Sequence, residues 1–244
     1  MPDKRRHRGK HPEDDQLFAP VRHEALRTAV AEYSWLLTRG YATGSALKLV
    51  GDRYNLTARQ RMAVRRSSCS DQSLEHRAAT MTPPTETAGQ LVGIDGYNLL
   101  ITIESALAGG LILVGRDGCH RDLASVHGTY RKVDETVPAV TLIVDFLATL
   151  NIRHIDWYLD RPVSNSGRLK ALMAEVIAGR TDRSTRRATW NIELVNSPDA
   201  LLVSYPHPVV SSDSVILDQC TAWLNLAEIV IDARIPTAWK VDLR

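Results

Sequence analysis

Aromatic residues are scarce in this 244-residue chain: they make up 6% of it, with only two Phe, so any core must be mostly aliphatic. Cysteine is scarcer still. Cys69, Cys119 and Cys220 lie far apart with no CxxC pair. That excludes a zinc-finger spacing and a disulfide framework, and fits a reducing, cytoplasmic setting. No apolar run reaches the roughly 20 residues that span a bilayer, so no membrane partner is expected. The basic opening, MPDKRRHRGKHPEDD, lacks the apolar stretch that a secretory signal requires. No P-loop and no Asp-x-Asp nucleophile motif occur, which weakens a small-molecule phosphatase or phosphotransferase reading.

What remains has an ordinary globular composition, 44% apolar and 24% charged. The net charge of +2 hides an asymmetry. Residues 1–90 hold 15 Lys and Arg against 10 Asp and Glu, whereas residues 91–244 hold 15 against 18. A basic front and an acidic back suggest a module facing nucleic acid, joined to a domain with an acidic pocket. Solubility alone accounts for the same numbers.

Residues 1–18 read as a polar, basic, disordered tail. Residues 19–70 read as a small helical bundle of helix-turn-helix type. Leu26, Val30, Tyr33 and Leu37 recur at helical spacing, and Gly40 stands where a C-terminal cap belongs. A second helix fits residues 45–50, stopped by Gly51. Thr57 and Gln60 form a capping-box pattern at the start of a third. Residues 71–90, rich in Thr, Pro, Ala and Gln, are expected to be a linker. Residues 91–244 alternate strand and helix patterns, which implies a mostly parallel sheet covered by helices on both faces. RDLASVHGTYRKVDE is expected to be a helix, and AEIVID a final strand.

Ligands bind beyond the carboxyl ends of strands in such sheets, and acids stand there three times. Asp95 follows the strand at 91–94, Asp160 ends IDWYLD, and Asp213 follows Val209 and Val210, with Asp218 five residues on. Carboxylates gathered at one rim repel unless a cation neutralises them, and hard oxygen ligands select Mg²⁺ or Mn²⁺. Each acid taken alone is equally well a helix cap. His127 and Arg131, four apart, would share a helical face as an acid–base and phosphate pair; a solvated surface gives the same pattern. Arg161, Ser164, Asn165 and Arg168 surround a Ser/Asn/Gly turn suited to phosphate, or simply to capping a helix. Arg53, Arg59, Arg61, Arg65 and Arg66 fall within 14 residues without an acid, and could lie along a phosphate backbone.

IDGYN at 94–98 resembles the opening motif of NYN-type PIN-like nucleases. The resemblance implies that Asp95 binds metal, that Asn98 shapes the same pocket, and that Asp160 and the SSD of Asp213 follow in order. More closely, GYATGSALKLVGDRYNLTARQRMAVRRSSCS resembles domain-of-unknown-function family 434. IDGYNLLITIESALAGG, GRDGCHRDLASVHGTYRKVDET, WYLDRPVSNSGRLKALM and SSDSVILD resemble its partner family 5616, considered PIN-like. PIN domains usually carry a further acid. Glu104, Asp117, Asp122 and Asp199 are candidates here, and none matches cleanly. The resemblance implies a metal-dependent ribonuclease acting on RNA; a non-catalytic nucleic-acid-binding or regulatory protein is the alternative. The sequence leaves the oligomeric state open.

Overall fold

A computed structural model describes residues 7–124, 130–180, 185 and 187–244. Helix α1 (Asp14–Leu17) is followed by α2 (Pro20–Thr38), α3 (Thr43–Arg53), α4 (Ala58–Ser67) and α5 (Asp71–Thr80). Pro20 starts α2 with its φ already helical. Gly40 ends it at φ 76°, and the Tyr41 N–H donates back to the Leu36 carbonyl. At the start of α4 the capping box forms as expected: the Gln60 N–H donates to Thr57 Oγ1 and the Thr57 N–H to Gln60 Oε1. The second helix is longer than expected, because Gly51 lies inside it. A side chain there would run into the Arg61 guanidinium.

Two boundaries are corrected. Residues 7–18 do not form a free tail: Phe18 is in the core, buried Asp14 pairs with Arg59, and Arg8 pairs with buried Glu104. The expected linker begins as α5, capped by Ser70 and carrying a buried Arg77. Low complexity hid a helix that owes its stability to docking rather than propensity.

The α/β part runs β1 (Leu91–Asp95), α6 (Gly96–Leu107), β2 (Leu111–Val114), β3 (His120–Asp122), α7 (Thr136–Thr149), β4 (His154–Asp160), α8 (Ser166–Ala178) and β5 (Thr189–Val195). It continues with α9 (Pro198–Val203), β6 (Val209–Val210), α10 (Ser214–Leu217), α11 (Leu226–Arg234) and β7 (Trp239–Asp242). β5, β4, β1 and β6 form a parallel sheet in that order, as the alternating pattern predicted. The main core lies between this sheet and α6, α7, α8 and α11. A smaller core on the opposite face includes Tyr158, Leu202 and Trp223.

A second sheet, β3-β2-β7, was not expected. Its central strand alternates: Leu111 and Leu113 join the helical bundle's core, whereas Ile112 joins the main one. Fully burying such side chains contributes about 1.5–3 kcal/mol each. The bundle and the α/β part therefore share a core. The expected helix over RDLASVHGTYRKVDE is corrected at its two described ends: His120–Asp122 is a strand pairing with β2, and residues 130–133 are irregular. AEIVID lies in helix α11, not in a strand. No helix of the described residues is long and apolar enough to cross a membrane.

Candidate functional site

Strand β1 is apolar up to its last residue, so Asp95 stands at the rim where α6 begins. Gly96 follows because α6 starts hard against β4: a Cβ there would lie 2.5 Å from the Tyr158 carbonyl oxygen. The chain leaves β1 for β4 and β5 on one side and returns to β6 on the other. The order thus reverses at β1 and β6, the kind of position where open α/β sheets form ligand crevices.

The two strand ends interlock. The Ser211 hydroxyl donates to Asp95 Oδ2 at 2.7 Å. Asn98 Oδ1 accepts both the N–H and the hydroxyl of Ser212, at 2.8 and 2.9 Å. Asp213 caps α10, accepting the Val215 N–H at 2.8 Å. Asp160 ends the neighbouring β4. Asp95, Asp160 and Asp213 therefore stand at the ends of three adjacent parallel strands. Asp199, in the first turn of α9, feels the charges of both Asp213 and Asp160.

Burial pushes the Asp95 carboxyl up to about 7; Ser211 lowers it somewhat, and the charges of Asp199 and Asp213 raise it further. Burial also raises Asp160 and Asp199. Among the described residues, none of these four acids has a basic ion-pair partner. The donors are all hard oxygens, the class suited to Mg²⁺ or Mn²⁺. Among the described residues, no three acids, His or Cys approach closely enough to hold one ion directly.

A cleft of about 930 Å³ opens between the helical bundle and this rim. Asp95, Asn98, Ser212 and Asp213 line one side, and Tyr41, Arg65 and Arg66 the other; Asp160 lies outside it. Asp218 also lines the cleft, but Arg77 holds its carboxylate with contacts of 2.8 and 2.6 Å. Its assignment as a metal ligand is corrected on that ground, because its charge is already compensated.

The arginine stripe is corrected likewise. Arg59 pairs with Asp14, and Arg61 bonds Asp52 and the Leu56 carbonyl, so both serve the bundle's own structure. Arg65 alone of the three is exposed at the cleft without an ion pair among the described residues. His127 lies outside the described residues. Arg131 is exposed on an irregular segment. The 161–168 turn is a brace rather than an open anion cradle. The Arg161 guanidinium donates to the Leu194 carbonyl, the Ser164 carbonyl accepts the Tyr130 N–H, and Asn165, at φ 71°, donates to the Tyr130 carbonyl. Arg168 is exposed beside it.

Sequence reasoning missed a buried network behind the rim. Arg121 grips Asp117 at 2.8 and 2.6 Å and donates through Nε to the Ser212 carbonyl at 2.8 Å. Arg77 reaches Asp117 and Asp218 from α5. Burial alone would raise Asp117, but the two guanidiniums hold its carboxyl far below the usual range. These residues come from three separated segments, and no spacing links them. Of the other acids considered, Asp122 accepts the Thr102 hydroxyl, and Glu104 is buried with Arg8, Tyr130 and Thr136.

Two family models match the chain. "Domain of unknown function (DUF5616)" matches residues 84–229, and "Protein of unknown function (DUF434)" matches residues 25–79. The second match ends with α5, so it includes Arg77. A curated relative, the uncharacterized protein MJ0935 of Methanocaldococcus jannaschii, is 29% identical over 151 residues, covering 62% of this chain and 72% of that protein. No solved structure matches significantly. The α/β part, spanning more than half of the chain, together with the site it carries, belongs to the DUF5616 family.

Proposed function

We propose that this protein is a PIN/NYN-like, metal-dependent phosphodiester hydrolase, an endoribonuclease. The observation that carries the proposal is a rim of uncompensated carboxylates at the sheet's reversal point, opening into an arginine-bordered cleft. Asp95 is fixed by Ser211, and Asn98 is fixed by Ser212, so neither needs to reorganise when a ligand arrives. Asp95 and Asp213 would hold Mg²⁺ or Mn²⁺, which commonly binds through one or two carboxylates and keeps several waters. When bound, the ion supplies an activated water and neutralises charge on the phosphate. Asp160 and Asp199 add negative potential that favours a cation at this rim.

One observation favours a second reading, a nucleic-acid-binding protein without cleavage: among the described residues no three acids meet. Asp95→Asn separates the two. Cleavage of single-stranded RNA in Mn²⁺ is expected to fall by at least about 100-fold, with binding kept or tightened, because a charge facing phosphate is lost. Persisting cleavage in the variant would mean that the active site lies elsewhere. A wild-type protein that cuts none of several RNAs and DNAs would favour the binding reading.

A further inference from the structure

Two large apolar side chains on the cleft stay exposed: Tyr41 at 56% and Val215 at 55%. They come from the two different family matches and are held by short, ordered connections. Tyr41 follows the helix-ending Gly40, with its N–H tied to the Leu36 carbonyl. Val215 lies two residues past Asp213, with its N–H tied to that carboxylate. An aromatic face and a branched aliphatic one beside the acid rim suit a flat heteroaromatic group.

The charges on the cleft narrow the ligand further. Its described lining includes four Arg and four Asp. Arg66 is occupied by the Asp122 and Ala124 carbonyls, and Arg77 and Arg121 by Asp117 and Asp218. Only Arg65 is exposed and without an ion pair among the described residues. A duplex groove needs many uncommitted cations, because affinity grows with each phosphate neutralised. A single one suits one or two phosphates.

We propose that the cleft binds single-stranded nucleic acid, seating one unpaired base against Tyr41 and Val215 and the adjoining phosphate on Arg65. This rests on the reading that the acid rim acts on phosphodiesters. It assigns the helical module to strand selection rather than to duplex binding.

The test is fluorescence anisotropy of the full chain in EDTA, with a labelled RNA oligonucleotide alone and annealed to its complement. The single strand is expected to bind at least tenfold tighter. Its log affinity should fall against log salt with a slope of about −1, as one or two phosphates at about 0.7 each predict. Tyr41→Ala should weaken binding by about five- to a hundredfold, the range for one stacked base, and Tyr41→Phe should retain it. Arg65→Ala should flatten the salt slope. Equal binding of the duplex, a steep slope, an unaffected Tyr41→Ala or no binding at all would each overturn the proposal. Because binding is read without metal, a failure to cleave leaves this result standing. Metal-dependent cleavage indifferent to Tyr41 would sink only the base subsite.

Discussion

Asp95 must shed its proton inside the protein near pH 7, whereas in the unfolded chain it does so near 4. Between those values the native state holds a proton that the unfolded state has lost. Stability from this group is therefore fully present below about pH 4 and declines as pH rises through 7. The expected outcome is a metal-free melting temperature that falls between pH 5 and pH 8 in the wild type and stays flatter in Asp95→Asn. The variant should be the more stable at pH 8, by one to a few kcal/mol, since each pKa unit is worth about 1.4 kcal/mol. Parallel melting curves across that range would show that burial does not strain this carboxyl. At this scale IDGYN was legible because three of its letters answer local demands. An acid ends the strand, a glycine admits the helix, and an asparagine receives the Ser212 loop.

Helix α6 buries nearly every residue from Gly96 to Ala106 because it lies between the two sheets. A helix apolar all round belongs in such a place. Gly96 sets its approach: a Cβ would meet the Tyr158 carbonyl at 2.5 Å, Leu159 Cδ2 at 2.6 Å and Trp157 Cδ1 at 2.7 Å. Backbone cannot yield as a flexible side chain can. Gly96→Ala is expected to cost about 1–3 kcal/mol in urea unfolding. Gly44→Ala, in α3 with nothing within 4 Å, is the control and should be neutral or stabilising by up to about 1 kcal/mol. Equal stability of the two variants would dismiss the close approach. The element that sequence reading assigned wrongly, AEIVID, shows the limit of periodicity. A short apolar run fits a buried strand or a buried helix, and here docking against α6 and α7 decides.

For the molecule as a whole, the segments covered by the two family matches share a core. Leu111, Leu113, Leu123, Val241 and Leu243 pack with the bundle, and Arg77 crosses from α5 to neutralise Asp117. A buried charge stripped of its partner is strongly destabilising. Thermal unfolding is expected as a single transition, with calorimetric and van't Hoff enthalpies in agreement. Residues 81–244 alone should bind ANS and lose cooperativity. Two resolved transitions, or a cooperative 81–244 fragment, would show that the modules fold independently.

The sequence by itself determined what depends on neighbours along the chain. Apolar spacing between Pro20 and Gly40 made α2, Thr57 and Gln60 made the capping box, and alternating strands and helices made the parallel sheet with acids at its ends. Tertiary structure decided the rest, because pairing depends on residues brought from afar. Arg59 and Arg61 look like Arg65 in the sequence, yet Asp14 and Asp52 occupy the first two and leave the third at the cleft. Asp218 looks like Asp213, yet Arg77 reaches one and not the other. The four residues of β2 carry too little pattern to announce a strand. They become one because β3 and β7 pair with them and apolar layers cover both faces. Burial, not sequence spacing, sets the charge state of Asp95, since taking a carboxylate out of water is a property of its surroundings.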